Sequence, residues 1–391
     1  MTRPEKATNR TIARTRAKNR FIGGWPRIAL CMGSALVTLL ASASPQAFAA
    51  SPVEVTDFGF NPGNLRMFEF LPDGLPPSAP LVVVMHGCTQ NATTFANETG
   101  WIQLADKFGF ALALPQQTQV NNSSSCFRWF DSNHNRRDQG ESLSVKQMVD
   151  KMKSVHSIDP KRVYVTGLSA GGAMTSVMLA TYPDVFAGGG INAGLPYGCA
   201  NNQFDAFQCM QSGQPGGLVI GLPGGDVLNS PVPINIPVLA AWCTMFPALP
   251  ICSDIPPNSG SHTISPSEWG DFVRQASSVA RPFPKVSIWH GSKDRTVNPV
   301  NEIEEMEQWT NVHGIDPRSA THDTIKGFPH QTFRDTNGDA VVETFSITGM
   351  DHGQPVDPGT GGDECGAPDQ FIINEHICAS FFTAKFWGLV H

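Results

Sequence analysis

Between Val163 and Pro183 the chain reads V-Y-V-T-G-L-S-A-G-G-A-M-T-S-V-M-L-A-T-Y-P. A β-branched run passes at Gly167-Leu168-Ser169-Ala170-Gly171-Gly172 into Met174, Val177, Met178, Leu179 and Tyr182 at helical spacing, and the pattern ends at a proline. A strand that turns at once into a helix brings backbones into contact, and glycines permit that approach. A serine at the apex of such a turn is held with its hydroxyl exposed. In a chain with 37 glycines the bare G-x-S-x-G pattern is weak, and an incidental serine in a glycine loop is the competing reading. The buried-strand composition before it and the apolar helix after it decide for Ser169 as the candidate nucleophile.

The first fifty residues stand apart. They carry eight Lys and Arg against the single acid Glu5, then an apolar stretch from Ile28 to Leu40 and the small-residue segment Ala47-Phe48-Ala49-Ala50. This is the layout of a secretory signal peptide cleaved near Ala49 or Ala50, its apolar run shorter than the roughly 20 residues that cross a bilayer. The expected organisation is a signal peptide at 1–50 and one folded domain at 51–391, secreted and without stable membrane association after cleavage. Taking the leader's eight basic residues and one acid from the chain's 27 and 34 leaves 19 and 33, a formal net charge of −14. Such a surface repels phosphate backbones and disfavours nucleic-acid binding. The pattern does not address oligomeric state.

Cysteine usage agrees with export. Cys31 falls in the leader, and the remaining Cys88, Cys126, Cys199, Cys209, Cys243, Cys252, Cys365 and Cys378 form an even set suited to disulfides in an oxidising compartment. Proximity along the chain suggests 199 with 209, 243 with 252 and 365 with 378, leaving 88 with 126, although sequence alone does not select among pairings. No C-x-x-C pair is present, which counts against a zinc ribbon or a redox site.

Candidate strands at Leu81 to Met85, Phe110 to Leu114, Arg162 to Thr166, Gly189 to Asn192, Lys285 to Trp289 and Val341 to Ile347 alternate with helical patterns. The helices fit Thr93 to Lys107, Glu141 to Val155, Ala170 to Tyr182, Asn301 to Val312 and Glu375 to Trp387. Alternation of this kind predicts an α/β fold with a mostly parallel central sheet and helices on both faces. Residues 197–283 interrupt it with a proline- and glycine-rich stretch holding four cysteines and the apolar piece Val238-Leu239-Ala240-Ala241-Trp242. The expectation is a disulfide-stapled insertion that caps or flanks the site.

A serine hydroxyl becomes nucleophilic when a histidine takes its proton, and the histidine needs a carboxylate to fix its tautomer. In α/β-hydrolases the order is Ser, Asp, His. The strand ending at Trp289 runs into His290-Gly291-Ser292-Lys293-Asp294, which places Asp294 in a loop beyond a carboxyl strand end and ahead of Asp254, Asp271 and Asp335 as the acid. His290 reads as a support for that loop. The base is His352, in Gly349-Met350-Asp351-His352-Gly353 after the strand to Ile347, in preference to His290, His313, His322, His330, His376 and His391. Asp351 is too close in sequence to face the same imidazole and reads as a supporting group. For the oxyanion hole the N–H of Ala170 supplies one donor, and that of Cys88, in Met85-His86-Gly87-Cys88-Thr89-Gln90, supplies the other. Proton transfer and oxyanion stabilisation need only protein groups, so neither a metal nor an organic cofactor is expected. The calcium-loop-like Asp335-Thr336-Asn337-Gly338-Asp339 has Ala340 where glycine is required and Ser346 where the bidentate glutamate belongs, and it reads as an Asn-Gly hairpin.

Together these segments resemble the extracellular poly(3-hydroxybutyrate) depolymerase family of serine esterases, related to feruloyl and acetylxylan esterases. The matching pieces are His86-Gly87-Cys88-Thr89-Gln90, Gly167 to Gly172, Ala193-Gly194-Leu195-Pro196-Tyr197-Gly198-Cys199-Ala200, Trp289-His290-Gly291 with Asp294, and Gly349 to Gly353. The resemblance implies an α/β-hydrolase fold, a triad of Ser169, Asp294 and His352, and Cys88 beside the oxyanion hole. Depolymerases of solid polyester commonly add a linker and a polymer-binding domain, whereas this chain ends at His391, so soluble oligoesters or amorphous polymer are the expected substrates. Adsorption through Trp242, Phe246 and Leu249 is a further expectation. The alternatives are a feruloyl- or acetylxylan-type carbohydrate esterase and a catalytically silent polymer-binding protein of the same fold.

Overall fold

The computed structural model describes residues 51–215, 264–279 and 282–390. In chain order its strands are β1 (Val53–Val55), β2 (Arg66–Phe70), β3 (Ala79–Met85), β4 (Ala111–Gln116), β5 (Ile158–Leu168), β6 (Gly188–Asn192), β7 (Lys285–Gly291), β8 (Thr321–Ile325), β9 (Phe328–Arg334), β10 (Ala340–Ile347), β11 (Gln354–Val356) and β12 (Ile372–Asn374). The helices are α1 (Ala92–Glu98), α2 (Trp101–Phe108), α3 (Gly140–Val155), α4 (Ala170–Thr181), α5 (Gln203–Ser212), α6 (Pro266–Ala276), α7 (Val300–Val312) and α8 (Ala379–Phe386).

Among the described residues, ten strands form one sheet in the order β1-β2-β4-β3-β5-β6-β7-β10-β9-β8. Its centre, β4-β3-β5-β6-β7-β10, is parallel throughout, and the strands added at both edges pair antiparallel. The apolar run of β3 explains its central place: successive side chains point to opposite faces, and both faces are covered. Leu81, Val83 and Met85 join Met148 of α3, Met174 and Val177 of α4, Trp269 of α6 and Trp309 of α7. Val82 and Val84 join Phe95 of α1, Trp101 of α2 and Phe381 of α8 on the other side. Each aliphatic side chain fully buried in this way contributes about 1.5–3 kcal/mol.

The expected strands are all present and the α/β architecture is as read. The differences lie at boundaries and edges. The helix expected over Thr93 to Lys107 is two helices, because Gly100 takes a left-handed conformation with φ 82° between α1 and α2. The last helix begins at Ala379, since His376 with φ 57° and Cys378 in extended backbone keep the residues after β12 out of the helix. Strands β1, β2, β8 and β9 went unread because a sheet edge needs no apolar run; the residues of β8, THDTI, are almost wholly exposed. The hairpin at Asp335 is present: Asp335 N–H donates to Asp339 O (2.9 Å), the Asp335 carboxylate accepts from the Asn337 and Asp339 N–H groups, and the turn joins antiparallel β9 and β10.

Disulfides join Cys88 to Cys126, Cys199 to Cys209 and Cys365 to Cys378. Within the interrupting stretch, α5 carries Cys209 and α6 carries a capping box in which Ser265 and Glu268 exchange hydrogen bonds. The 243–252 pairing, the helix at 238–242, the surface of Trp242, Phe246 and Leu249, the competing Asp254 and the leader at 1–50 lie outside the described residues. No helix among the described residues is long and apolar enough to cross a membrane.

Candidate active site

Ser169 caps α4 at the carboxyl end of β5 with φ 57° and ψ −119°, a left-handed backbone that costs a non-glycine residue about 1–3 kcal/mol. Its surroundings hold it there. The Ser169 N–H donates to Asn192 O at the end of β6 (2.9 Å), and Asn192 Nδ2 donates to Gly167 O (3.2 Å). A β-carbon on Gly171 would lie 2.2 Å from Met85 O and 2.6 Å from His86 O, so the elbow exists only because that residue has no side chain. Ser169 itself remains half-buried and open to a substrate.

The loops after β7 and β10 bring Asp294 and His352 together. His352 Nδ1 and Asp294 Oδ2 are 2.7 Å apart, and both residues are buried. Asp294 Oδ1 accepts the N–H groups of Thr296 and Val297, each at 2.8 Å, which leaves Oδ2 for the imidazole and sets a single carboxylate orientation. Burial alone would raise the Asp294 pKa, but hydrogen bonds from His290 and His352 outweigh it and hold the carboxyl well below the usual range. Asp351, expected as a supporting group, clamps the two loops: its carboxylate accepts the His352 N–H (2.9 Å), the Arg295 N–H (3.2 Å) and the Arg295 guanidinium. Since β5, β7 and β10 belong to one parallel array, Ser169, Asp294 and His352 all follow carboxyl strand ends on the same edge of the sheet.

The loop Gly87-Cys88-Thr89 lies against this elbow, with a β-carbon on Gly87 falling 3.6 Å from the Ser169 β-carbon. Gly87 N–H is committed to Gln90 Oε1 (2.8 Å) and Thr89 N–H to Ser124 O (2.7 Å). Cys88 N–H, between them, has no acceptor among the described residues. Ala170 N–H, at the first position of α4, has no intrahelical acceptor. His86, whose role was not anticipated, anchors this loop from beneath: Nδ1 lies 2.6 Å from Gly87 O, and Nε2 accepts the Gln117 N–H (3.1 Å). Burial holds its pKa down at about 4, so it stays neutral in that tautomer. Glu141 secures the far side of the disulfide, accepting from Arg128 N–H (2.7 Å) and Gln117 Nε2 (2.6 Å).

Several of the competing acids and bases are engaged elsewhere. Asp271 pairs with Arg274 on α6, Asp335 closes the hairpin, His313 contacts Pro284 O (3.0 Å), and His330 lies between Asp323 and Glu343. His290 supports the Asp294 loop as expected, with Nε2 2.9 Å from Val297 O. Phe371, which sequence reasoning missed, sets its ring 5.9 Å from that of His352. No local pattern marks it.

The family model described as "Esterase PHB depolymerase" matches residues 67–223, which include the Gly87-Cys88-Thr89 loop and the turn at Ser169. The poly(3-hydroxyalkanoate) depolymerase C of Paucimonas lemoignei is 44% identical over 353 residues, spanning 90% of this chain and 73% of that protein. An acetylxylan esterase of Coprinopsis cinerea is 31% identical across 80% of this chain and 71% of its own length, and feruloyl esterase B of Talaromyces stipitatus is 29% identical across 83% and 78%. Among solved structures, the acetyl xylan esterase from Aspergillus awamori matches with a TM-score of 0.58 at 24% identity, covering 78% of this chain and 94% of that one, and so shares the α/β-hydrolase fold. The chain belongs to the PHB depolymerase family of esterases and is a carboxylic ester hydrolase.

Proposed function

We propose that this protein is a secreted serine esterase that hydrolyses poly(3-hydroxybutyrate), a related polyhydroxyalkanoate or their oligoesters through an acyl-enzyme on Ser169. The observation that carries the reading is the buried Asp294–His352 pair on the same sheet edge as the strained Ser169 elbow, in a chain 44% identical to a poly(3-hydroxyalkanoate) depolymerase. His352 takes the Ser169 proton as Oγ attacks the ester carbonyl, and the oxyanion accepts the N–H groups of Cys88 and Ala170. His352 then protonates the departing alcohol. Water, activated by the same imidazole, cleaves the acyl-enzyme and releases the hydroxyacid end. Three disulfides among the described residues favour an oxidising compartment, in line with the leader at 1–50 as a signal peptide.

A second reading, release of feruloyl or acetyl groups from decorated xylan, is favoured by the relatives of about 30% identity. The test compares products of the purified enzyme and its Ser169→Ala variant on amorphous polyhydroxybutyrate and on feruloylated and acetylated xylan. Hydroxybutyrate released by the wild type alone supports polyester hydrolysis. Ferulate or acetate instead moves the substrate to plant polysaccharide, and equal activity of the variant removes Ser169 as the nucleophile.

A further inference from the structure

Phe371 stands where the backbone asks for glycine. Asp369 and Ile372 exchange main-chain hydrogen bonds in both directions, each at 3.0 Å, and close a turn with Gln370 and Phe371 at its centre. Phe371 has φ 66°, a left-handed conformation that glycine or asparagine ordinarily supplies at the second central position of a turn and that is strained for a bulky side chain. The turn is held through main-chain atoms of its own: Gln354 N–H donates to Phe371 O (2.9 Å) and Gln90 Nε2 to Gln370 O (3.4 Å). A glycine at 371 would make the same bonds without strain, so the phenyl ring needs a separate explanation.

The same bonds set the turn between two loops of the site. Gln90 also accepts the Gly87 N–H through Oε1 (2.8 Å), in the loop that lies against Ser169. On the other side, a β-carbon on Gly353, next to His352, would fall 2.7 Å from Phe371 O. The Phe371 side chain is half-buried against the apolar cluster of Phe95, Trp101 and Phe381, and its ring lies 5.9 Å from the His352 imidazole at an interplanar angle of 70°. His352 Nδ1 faces Asp294 Oδ2 (2.7 Å), which leaves Nε2 for the reacting oxygens.

We propose that Phe371 is a specificity-determining residue whose ring walls the place beside His352 taken by the alcohol half of the ester, and that it selects a secondary alkyl alcohol, such as the carbon chain of a second hydroxyacid, over a hydrated polyol. This rests on the Ser169–His352–Asp294 reading. In acylation Ser169 Oγ bonds to the carbonyl carbon as its proton passes to His352; when the bond from that carbon to the alcohol oxygen breaks, the oxygen takes the proton from Nε2, so the departing alcohol lies against the imidazole and its neighbours. An alkyl group on the phenyl face leaves water favourably, whereas each polyol hydroxyl gives up a hydrogen bond to water that the ring cannot replace. The strained backbone at Phe371 is what aims the ring at the base.

The test uses two soluble acetates that form the same acetyl-enzyme and differ only in the alcohol, methyl 3-acetoxybutyrate and glycerol monoacetate. Their kcat/KM values report events up to departure of the alcohol, so hydrolysis of the shared acetyl-enzyme does not enter their ratio. The wild type is expected to favour the acetoxybutyrate. Phe371→Ala and Phe371→Gly should lower the ratio roughly 10- to 100-fold, and Phe371→Leu, which keeps apolar bulk, by less than about tenfold. Phe371→Gly relieves the left-handed backbone as it removes the ring, which keeps the test open should Phe371→Ala not fold. A fall of less than about threefold in Phe371→Gly, including equal losses on both acetates, overturns the proposal, as does a wild type without preference. An unchanged ratio beside an inactive Ser169→Ala defeats this inference alone. Activity retained in Ser169→Ala defeats the reading beneath it.

Discussion

At the scale of single residues the site depends on what is missing at Gly171 as much as on what is present at Ser169. A methyl group at 171 meets two backbone carbonyl oxygens, Met85 O and His86 O, which cannot move without dragging β3 and the loop that follows it. Gly171→Ala should therefore cost about 3 kcal/mol or more and abolish turnover, read together by thermal unfolding and ester hydrolysis. Gly349 offers the contrast: it has φ 91° but nothing within 4 Å of a β-carbon, so Gly349→Ala should carry only a conformational cost of about 1–2 kcal/mol with the protein still folded. For the acid proposed, Asp294→Asn preserves shape and loses charge. The amide cannot hold His352 in the required tautomer, and kcat on a soluble ester should fall about 10⁴-fold.

At the scale of elements, the disulfides divide by what they hold. Cys88–Cys126 closes 38 residues and fixes the loop whose Cys88 N–H is uncommitted, whereas Cys365–Cys378 closes 13 residues beside β11 and α8. Replacing both Cys88 and Cys126 by Ser should lower stability by about 3–4 kcal/mol and also lower kcat. Replacing Cys365 and Cys378 should lower the unfolding midpoint with kcat preserved, and equal losses of kcat in the two variants would refute this division of labour. Legibility in the sequence follows the same lines. The central strands announced themselves because both faces of each are buried and the apolar run is continuous, as in Leu81 to Met85. The break at Gly100 and the strand at Ile372–Asn374 did not, because each is decided by a neighbour: Gly100 by the approach of Cys365 and Gly366, and β12 by its pairing with β11.

For the whole molecule, the buried carboxyls set how stability varies with pH. Burial raises Glu141 and Glu302 to about 7 and Glu305 to about 8, against an unfolded value near 4.5. The folded chain thus holds protons that the unfolded chain releases. Their stabilising contribution is complete below pH 4.5 and is lost as pH rises through 7 to 8. Asp294, depressed in the folded state, works in the opposite sense and loses its contribution as pH falls below its ordinary value of 3.8. The unfolding midpoint should be higher near pH 5 than near pH 9, and Glu305→Gln should flatten that slope by removing up to about 4 kcal/mol of it. A midpoint that rises between pH 5 and pH 9 would contradict the assignment.

The sequence by itself determined the α/β class and the strand-to-helix turn at Ser169, because local composition dictates buried strands and only glycine permits the close approaches at the turn. The tertiary structure alone decided the rest of the site. Asp294 and His352 are 58 residues apart in the chain and meet only because β7 and β10 are neighbours in the sheet. The place of His86 beneath the Gly87-Cys88 loop and the raised proton affinity of Glu302 and Glu305 come from burial and from surroundings distant in sequence. A histidine or glutamate carries no local sign of the dielectric it will occupy, since that environment exists only once the chain has packed around it.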